Sequence, residues 1–196
     1  MAVAFETSNT RVNLMKAFAG ESQARNRYTM AASQAKKEGL HIVQRVFEFT
    51  ANQEKEHAEQ FYKKLTPVAD TQISISGDFP VNIYKDSIGN LKAARENEYA
   101  EYNDVYQAFA DEARSEGFYD IEKLFHDVAI AEKLHGDRYG KFLELIESGR
   151  LFESDKEETW LCLNCGNLYK GKIAPELCPI CNHNQGYQIR HDWILL

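Results

Sequence analysis

Two copies of Glu-x-x-His, Glu54 with His57 and Glu132 with His135, and two Cys-x-x-Cys pairs, Cys162/Cys165 and Cys178/Cys181, are the residues of this chain best suited to chemistry. Residues three apart share a face of an α-helix, so each Glu-x-x-His can turn a carboxylate and an imidazole toward one point. A single match means little. Glu38 and His41 also match, but Gly39 lies between them and breaks the continuous helix face. The other two close equivalent halves of a repeat. EGLHIVQRVFEFTANQEKEH and EGFYDIEKLFHDVAIAEKLH align without a gap, pairing Phe47 with Phe125, Ala51 with Ala129 and His57 with His135. Such a duplication predicts two helix pairs facing each other about a pseudo-two-fold axis.

The apolar periodicity gives the direction in which these groups point. Phe125, Val128, Glu132, His135, Tyr139, Phe142 and Ile146 recur at alternating threes and fours, as do Phe47, Thr50, Glu54, His57 and Phe61. Two further stripes carry acids as well: Leu14, Ala17, Glu21, Ala24, Tyr28 and Ala31, then Leu91, Ala94, Glu98, Glu101, Val105 and Ala108. Every stripe thus places carboxylate in the core. Five buried glutamates without a counter-charge are untenable, because each uncompensated ion costs several kcal/mol. Two divalent or trivalent ions balance them, and bridging carboxylates with imidazole suit iron or manganese. One Glu from each of two helices plus Glu-x-x-His from each of the other two is a known di-iron rule for bundles; here there is one carboxylate more. Tyr28 and Tyr106 fit either plain core packing or a role beside the ligands.

The four cysteines fall in one window, CLNCGNLYKGKIAPELCPIC. Two Cys-x-x-Cys pairs at this spacing predict a tetrathiolate metal site rather than a disulfide framework. Tetrahedral sulfur accepts zinc or iron, and spacing does not choose between them.

The elements that must position these groups are long amphipathic helices over Ser8–Lys37, Leu40–Leu65, Ser87–Glu116 and Phe118–Glu147, rich in Ala, Glu, Lys, Gln and Leu. Gly39 and Gly117 stand where left-handed C-cap residues are wanted, so tight turns make antiparallel pairs. Between the pairs, PVADTQISISGDFPVNIYKD carries prolines and short alternating runs and reads as an extended crossing connection. About 20 extended residues can run the ~40 Å length of a 26-residue helix. The fold class is therefore an all-α four-helix ferritin-like bundle with a long crossover, followed by a small metal-binding β domain. Domain bounds are expected at 1–149, a polar linker at 150–159, and 160–196.

At 196 residues and a formal net charge of -7, with no basic stripe, the chain is a poor partner for nucleic acid. The first residues lack a secretory signal and no apolar run reaches the roughly 20 residues needed to span a membrane, so a cytoplasmic location is expected. No nucleotide-binding fingerprint such as GxGxxG is present, so reducing equivalents must come from an external protein.

Over essentially its whole length the chain resembles the rubrerythrins. The resemblance is carried by Glu21, Glu54/His57, Glu98-x-x-Glu101, Glu132/His135 and a rubredoxin-like module that opens Trp160-Leu-Cys-Leu-Asn-Cys-Gly and closes Ala174-Pro-Glu-Leu-Cys-Pro-Ile-Cys. It implies one iron in the four cysteines, passing electrons to a di-iron centre that reduces hydrogen peroxide to water in protection against oxidative stress. It implies further that Glu54 and Glu132 bridge the irons, that Glu21 binds one and Glu98 with His135 the other, and that Glu101 and His57 exchange as ligands when one iron changes oxidation state. Tyr28 and Tyr106 match family tyrosines that hydrogen-bond ligands. The implied assembly is a homodimer or higher homo-oligomer in which one subunit's cysteine module approaches the other's di-iron site, reduced by a rubredoxin or an NAD(P)H-dependent reductase. One departure is Asn182, where rubredoxins carry Gly after the last cysteine; Asn is the next most tolerant of left-handed backbone. The competing reading is a ferroxidase of the iron-storage class, which leaves the cysteine module without a purpose. A pure electron-transfer protein would leave the seven inward ligands unexplained.

Overall fold

A computed structural model describes residues 3–193; the outermost residues of the two expected domains, 1–2 and 194–196, lie outside it. Helix α1 spans Asn9–Lys37, α2 His41–Lys64, α3 Ser87–Ala100, α4 Tyr106–Glu116 and α5 Tyr119–Glu147. Ser8 starts α1 by accepting the Arg11 N–H on its hydroxyl, and Asp86 starts α3 by accepting that of Gly89 at 2.7 Å. Such caps satisfy backbone donors that a helix end leaves orphaned. The expected left-handed turns are present, with φ of 73° at Gly39 and 92° at Gly117. Glu116, at the end of α4, accepts the Asn9 and Thr10 N–H groups across the bundle at 2.8 Å each, favourable placement for an anion at a helix N-terminus.

The third rod departs from expectation at one place. Instead of a continuous α-helix from Ser87 to Glu116, a π-helical turn over Glu101–Val105 joins α3 to α4. A π-turn takes one residue more than an α-turn, so every later side chain rotates around the axis. Leu91, Ala94 and Glu98 are buried as expected, whereas Val105 and Ala108 face solvent and Tyr106, Ala110 and Ala113 enter the core in their place.

The connection from α2 to α3 begins with a 3-10 turn over Thr66–Val68 and then runs without regular structure to α3. Its Val81 and Ile83 are 84% and 86% exposed. Asn82 between them accepts hydrogen bonds from Arg27 of α1 at 2.9 Å and Asn97 of α3 at 2.8 Å, fastening the crossover to both helices.

Two apolar layers divide the bundle. One holds Val43, Phe47, Leu91, Tyr139 and Phe142; the other holds Leu14, Phe61, Leu65, Ala110 and Phe125. Glu21, Glu54, Glu98 and Glu132 are buried among the same helices.

The C-terminal module is a three-stranded antiparallel sheet of order β2-β1-β3, with β1 at Glu153–Cys162, β2 at Leu168–Ile173 and β3 at Gln188–Arg190. Strand β1 begins within the polar stretch 150–159. Its charged residues face solvent while Ser154 and Trp160 face inward, so composition masks a strand there. The module seats on the end of the bundle. Leu151 and Ile189 join the first apolar layer, and Tyr187 stacks on His41 with ring centroids 3.9 Å apart. A Cβ on Gly186 would stand 1.7 Å from the Gly39 carbonyl oxygen, so only glycine admits this approach. No helix among the described residues is long and apolar enough to cross a membrane.

Candidate metal centres

Glu21 on α1, Glu54 and His57 on α2, Glu98 on α3, and Glu132 and His135 on α5 converge inside the bundle. Their ligand atoms form two sets, Glu21/Glu54/His57/Glu132 and Glu54/Glu98/Glu132/His135, each lying within 4.8 Å of one another. Glu54 and Glu132 belong to both. His57 Nδ1 lies 2.8 Å from Glu132 Oε1 and 3.3 Å from Glu54 Oε2. His135 Nδ1 lies 2.7 Å from Glu132 Oε2 and 3.0 Å from Glu54 Oε1. Each of these two carboxylates therefore turns one oxygen to each imidazole. Glu101, on the π-turn, belongs to neither set.

The electrostatics of the side chains alone are severe. Burial and then the neighbouring carboxylates hold Glu21 well above the ordinary carboxylate range, and burial and Glu54 do the same for Glu98. Burial, with Glu132 and Glu54, pushes Glu101 up to about 8. Burial acts to lower both histidines, but the surrounding carboxylates overcome it, raising His57 to about 9 and His135 to about 12. Burial acts to raise Glu54, but the two imidazoles outweigh it and lower the carboxyl to about 2. Even so, Glu54 and Glu132 keep both oxygens, and both histidines keep Nδ1, buried without a properly aligned hydrogen bond. Lone pairs converging on shared points, instead of on donors, are what metal ions require.

Around this set, Tyr28 donates its hydroxyl to Glu98 and Tyr106 donates to Glu21, crosswise between helices. Burial and then the partner carboxylate hold both phenols well above their ordinary range, so they remain donors. Gln53 meets His135 Nε2, and Arg138 donates to both Gln53 and Thr50. Sequence reading placed Thr50 in a stripe without a role and passed over Gln53 and Arg138, which carry no spacing signal. The decoy pair is separated as expected: Glu38 accepts the Ser87 N–H at 3.1 Å, and His41 lies under Tyr187.

In the C-terminal module Cys162, Cys165, Cys178 and Cys181 form one cluster. Cys162 Sγ and Cys181 Sγ are 3.7 Å apart and Cys165 Sγ and Cys178 Sγ 3.6 Å, far beyond a disulfide bond. A tetrahedron with metal–sulfur bonds of about 2.3 Å has edges of about 3.8 Å. The loops that carry the pairs match. Gly166 donates its N–H to Cys162 O at 2.8 Å and Asn182 donates to Cys178 O at 2.9 Å, and both adopt left-handed backbone, φ 76° and 57°. Asn182 thus makes the turn that its tolerance predicts.

Fold and sites together define a ferritin-like four-helix bundle with a carboxylate-rich two-metal site, joined to a rubredoxin-like module. Residues 13–143 match the family model described as Rubrerythrin, and residues 160–187 match that described as Rubrerythrin, rubredoxin-like domain. A rubrerythrin of Porphyromonas gingivalis is 45% identical over 92% of this chain and 88% of its own. A rubrerythrin of Nitratidesulfovibrio vulgaris is 41% identical over 92% and 93%. Among solved structures, nigerythrin in its fully reduced, all-ferrous state aligns with a TM-score of 0.63 at 28% identity, covering 97% of this chain and 89% of the other. The chain belongs to the rubrerythrin family. The glutamate and histidine sets fit two irons and the four cysteines fit one.

Proposed function

We propose that this protein reduces hydrogen peroxide to water at the bundle site, with electrons relayed through the cysteine-bound iron. The observation that carries this reading is the joining, in one chain, of a buried two-metal carboxylate site to a tetrathiolate module. When bound, the bundle irons would supply two electrons and Lewis-acid polarisation of the peroxide, and an iron in the four cysteines would be a one-electron donor to them. Overall, one peroxide takes up two electrons and two protons and yields two waters.

The residues divide the remaining work. Glu54 and Glu132, common to both ligand sets, would hold both metals, Glu21 would serve the position beside His57, and Glu98 with His135 the other. Tyr28 and Tyr106 hold Glu98 and Glu21 and stay protonated beside the reaction. The two apolar layers exclude bulk water. Glu101, outside both sets, and half-buried His57 would be the alternative ligands of one metal, a hard carboxylate oxygen suiting iron(III) and a neutral imidazole iron(II).

The cysteine module sits at the start of α2. Glu54 lies 13 residues further along that helix, about 20 Å at 1.5 Å per residue. In the homodimeric or larger assembly that we propose, a second subunit's cysteine module would approach the bundle site and shorten that path. A rubredoxin or an NAD(P)H-dependent reductase is the external donor, and the cytoplasm the expected location. Steady-state peroxide consumption with such a donor tests the activity; rapid dioxygen consumption and accumulation of many irons per chain, without peroxide turnover, would instead mark an iron-storage ferroxidase.

A further inference from the structure

We infer that Arg138 is a positioning residue for the bundle metal site: acting through Gln53, it holds His135 in the tautomer whose Nδ1 can bind metal. His135 Nε2 lies 3.1 Å from Gln53 Oε1. Arg138 Nη1 donates to that same oxygen at 3.1 Å and to Thr50 Oγ1 at 2.9 Å. The guanidinium packs over the Phe49 ring, 4.9 Å from its centroid.

A guanidinium donates and never accepts. An amide facing it must present its oxygen, since turning the amide over would oppose two donors. With the oxygen of Gln53 so fixed, His135 Nε2 can meet it only as N–H. The Nδ1 lone pair is then the one directed at Glu54, Glu98 and Glu132. Partners that fix ligand tautomers in this way govern metal affinity.

The internal repeat shows that the device belongs to one half alone. Matching His57 with His135 sets Val128 opposite Thr50, Ala131 opposite Gln53 and Gln60 opposite Arg138. Val128 and Ala131 have no polar side chain, and Gln60 is exposed. Among the described residues, the repeat therefore offers His57 no counterpart of the lock. The two metal positions are unequal although their ligands are nearly symmetric: only His135 carries this lock on its second nitrogen.

The inference rests on the two-metal reading of the bundle and is independent of what the metals react with. The test uses full-length protein loaded with zinc, which is diamagnetic, and long-range proton–nitrogen correlations of its histidines. In the wild type, His135 should show a metal-shifted Nδ1 and a slowly exchanging Nε2–H. In Arg138→Gln, which installs the residue of the other half, that proton should exchange at least about tenfold faster and the zinc affinity of this position should fall roughly 10–100-fold. Arg138→Lys, which keeps a donor, should restore slow exchange. An Arg138→Gln protein with wild-type tautomer, exchange and affinity overturns the inference. If Arg138→Gln does not fold, Gln53→Met removes the acceptor at similar volume, and unchanged Nε2–H exchange there overturns it equally. An unshifted Nδ1 in the wild type at saturating zinc would sink the two-metal reading itself, and this inference with it.

Discussion

Tyr106 donates its hydroxyl to Glu21 from a helix that carries one residue more than the matching helix. Tyr28 follows Glu21 by seven residues, and Tyr106 follows Glu98 by eight. The π-turn at Glu101–Val105 absorbs the extra residue. It turns Tyr106 inward and Val105 outward, and Glu101 stands at its first position.

Replacing Tyr106 by Phe removes the donor to Glu21 and leaves that carboxylate less well held. The metal position it serves should weaken by roughly 10–100-fold, read by anaerobic iron(II) titration against a chelator, while the four-cysteine site keeps its iron. Undiminished affinity would mean that Tyr106 only packs.

Glu101→Ala should leave uptake of two bundle metals intact, because neither ligand set contains Glu101. The reaction of the reduced protein with peroxide should slow by roughly tenfold or more, on the scale seen when groups that tune a metal are removed. Loss of a metal in this variant would instead make Glu101 an obligatory ligand.

Protein stripped of metal should lose stability as pH rises from about 6.5 to about 9. His57 is raised to about 9 and Glu101 to about 8, so across this window the folded chain binds more protons than the unfolded one, and stability falls with pH. Below the unfolded histidine value the His57 contribution is fully present; above its folded value it is gone. Metal loading displaces those protons, so thermal unfolding of the iron-loaded protein should show a much flatter pH profile. A metal-free midpoint that rises over this range would contradict the assignment of burial and charge in the cluster.

Gly186→Ala places a methyl group against the Gly39 carbonyl and should unseat the cysteine module from the bundle. The expected signature is faster proteolysis near residues 149–153 with normal helix content and normal iron in the cysteines. Wild-type resistance would show that the contact is soft.

Most of this architecture was legible in the sequence, because helix periodicity and buried charge are both local signals. The stripes through Glu21, Glu54, Glu98 and Glu132, the left-handed positions at Gly39 and Gly117, and the tetrathiolate cluster all lie where spacing puts them, and Asn182 is left-handed as the family resemblance implies. The π-turn was not legible, since nothing in EYNDV marks an extra residue until the partners of Tyr106 are known. The consequence was a stripe drawn through Val105 and Ala108 where Tyr106 and Ala110 are the buried residues. Strand β1 was obscured by its charged outer face. Gln53 and Arg138 escaped notice because their significance arises only when α2 and α5 meet across 85 residues of sequence.

Cys162→Ser should leave one peroxide turnover by the pre-reduced bundle and abolish sustained turnover, while unchanged steady-state activity would refute the relay.

The most direct measurement of the central claim is to reduce the anaerobic protein fully and mix portions with hydrogen peroxide or with dioxygen, following the visible thiolate-to-iron(III) absorption. Rapid return of the band with peroxide and slow return with dioxygen is the predicted result, reporting both iron in the cysteines and its coupling to peroxide reduction. A protein with no visible band in any oxidation state would hold zinc in that module, and the electron relay would be contradicted.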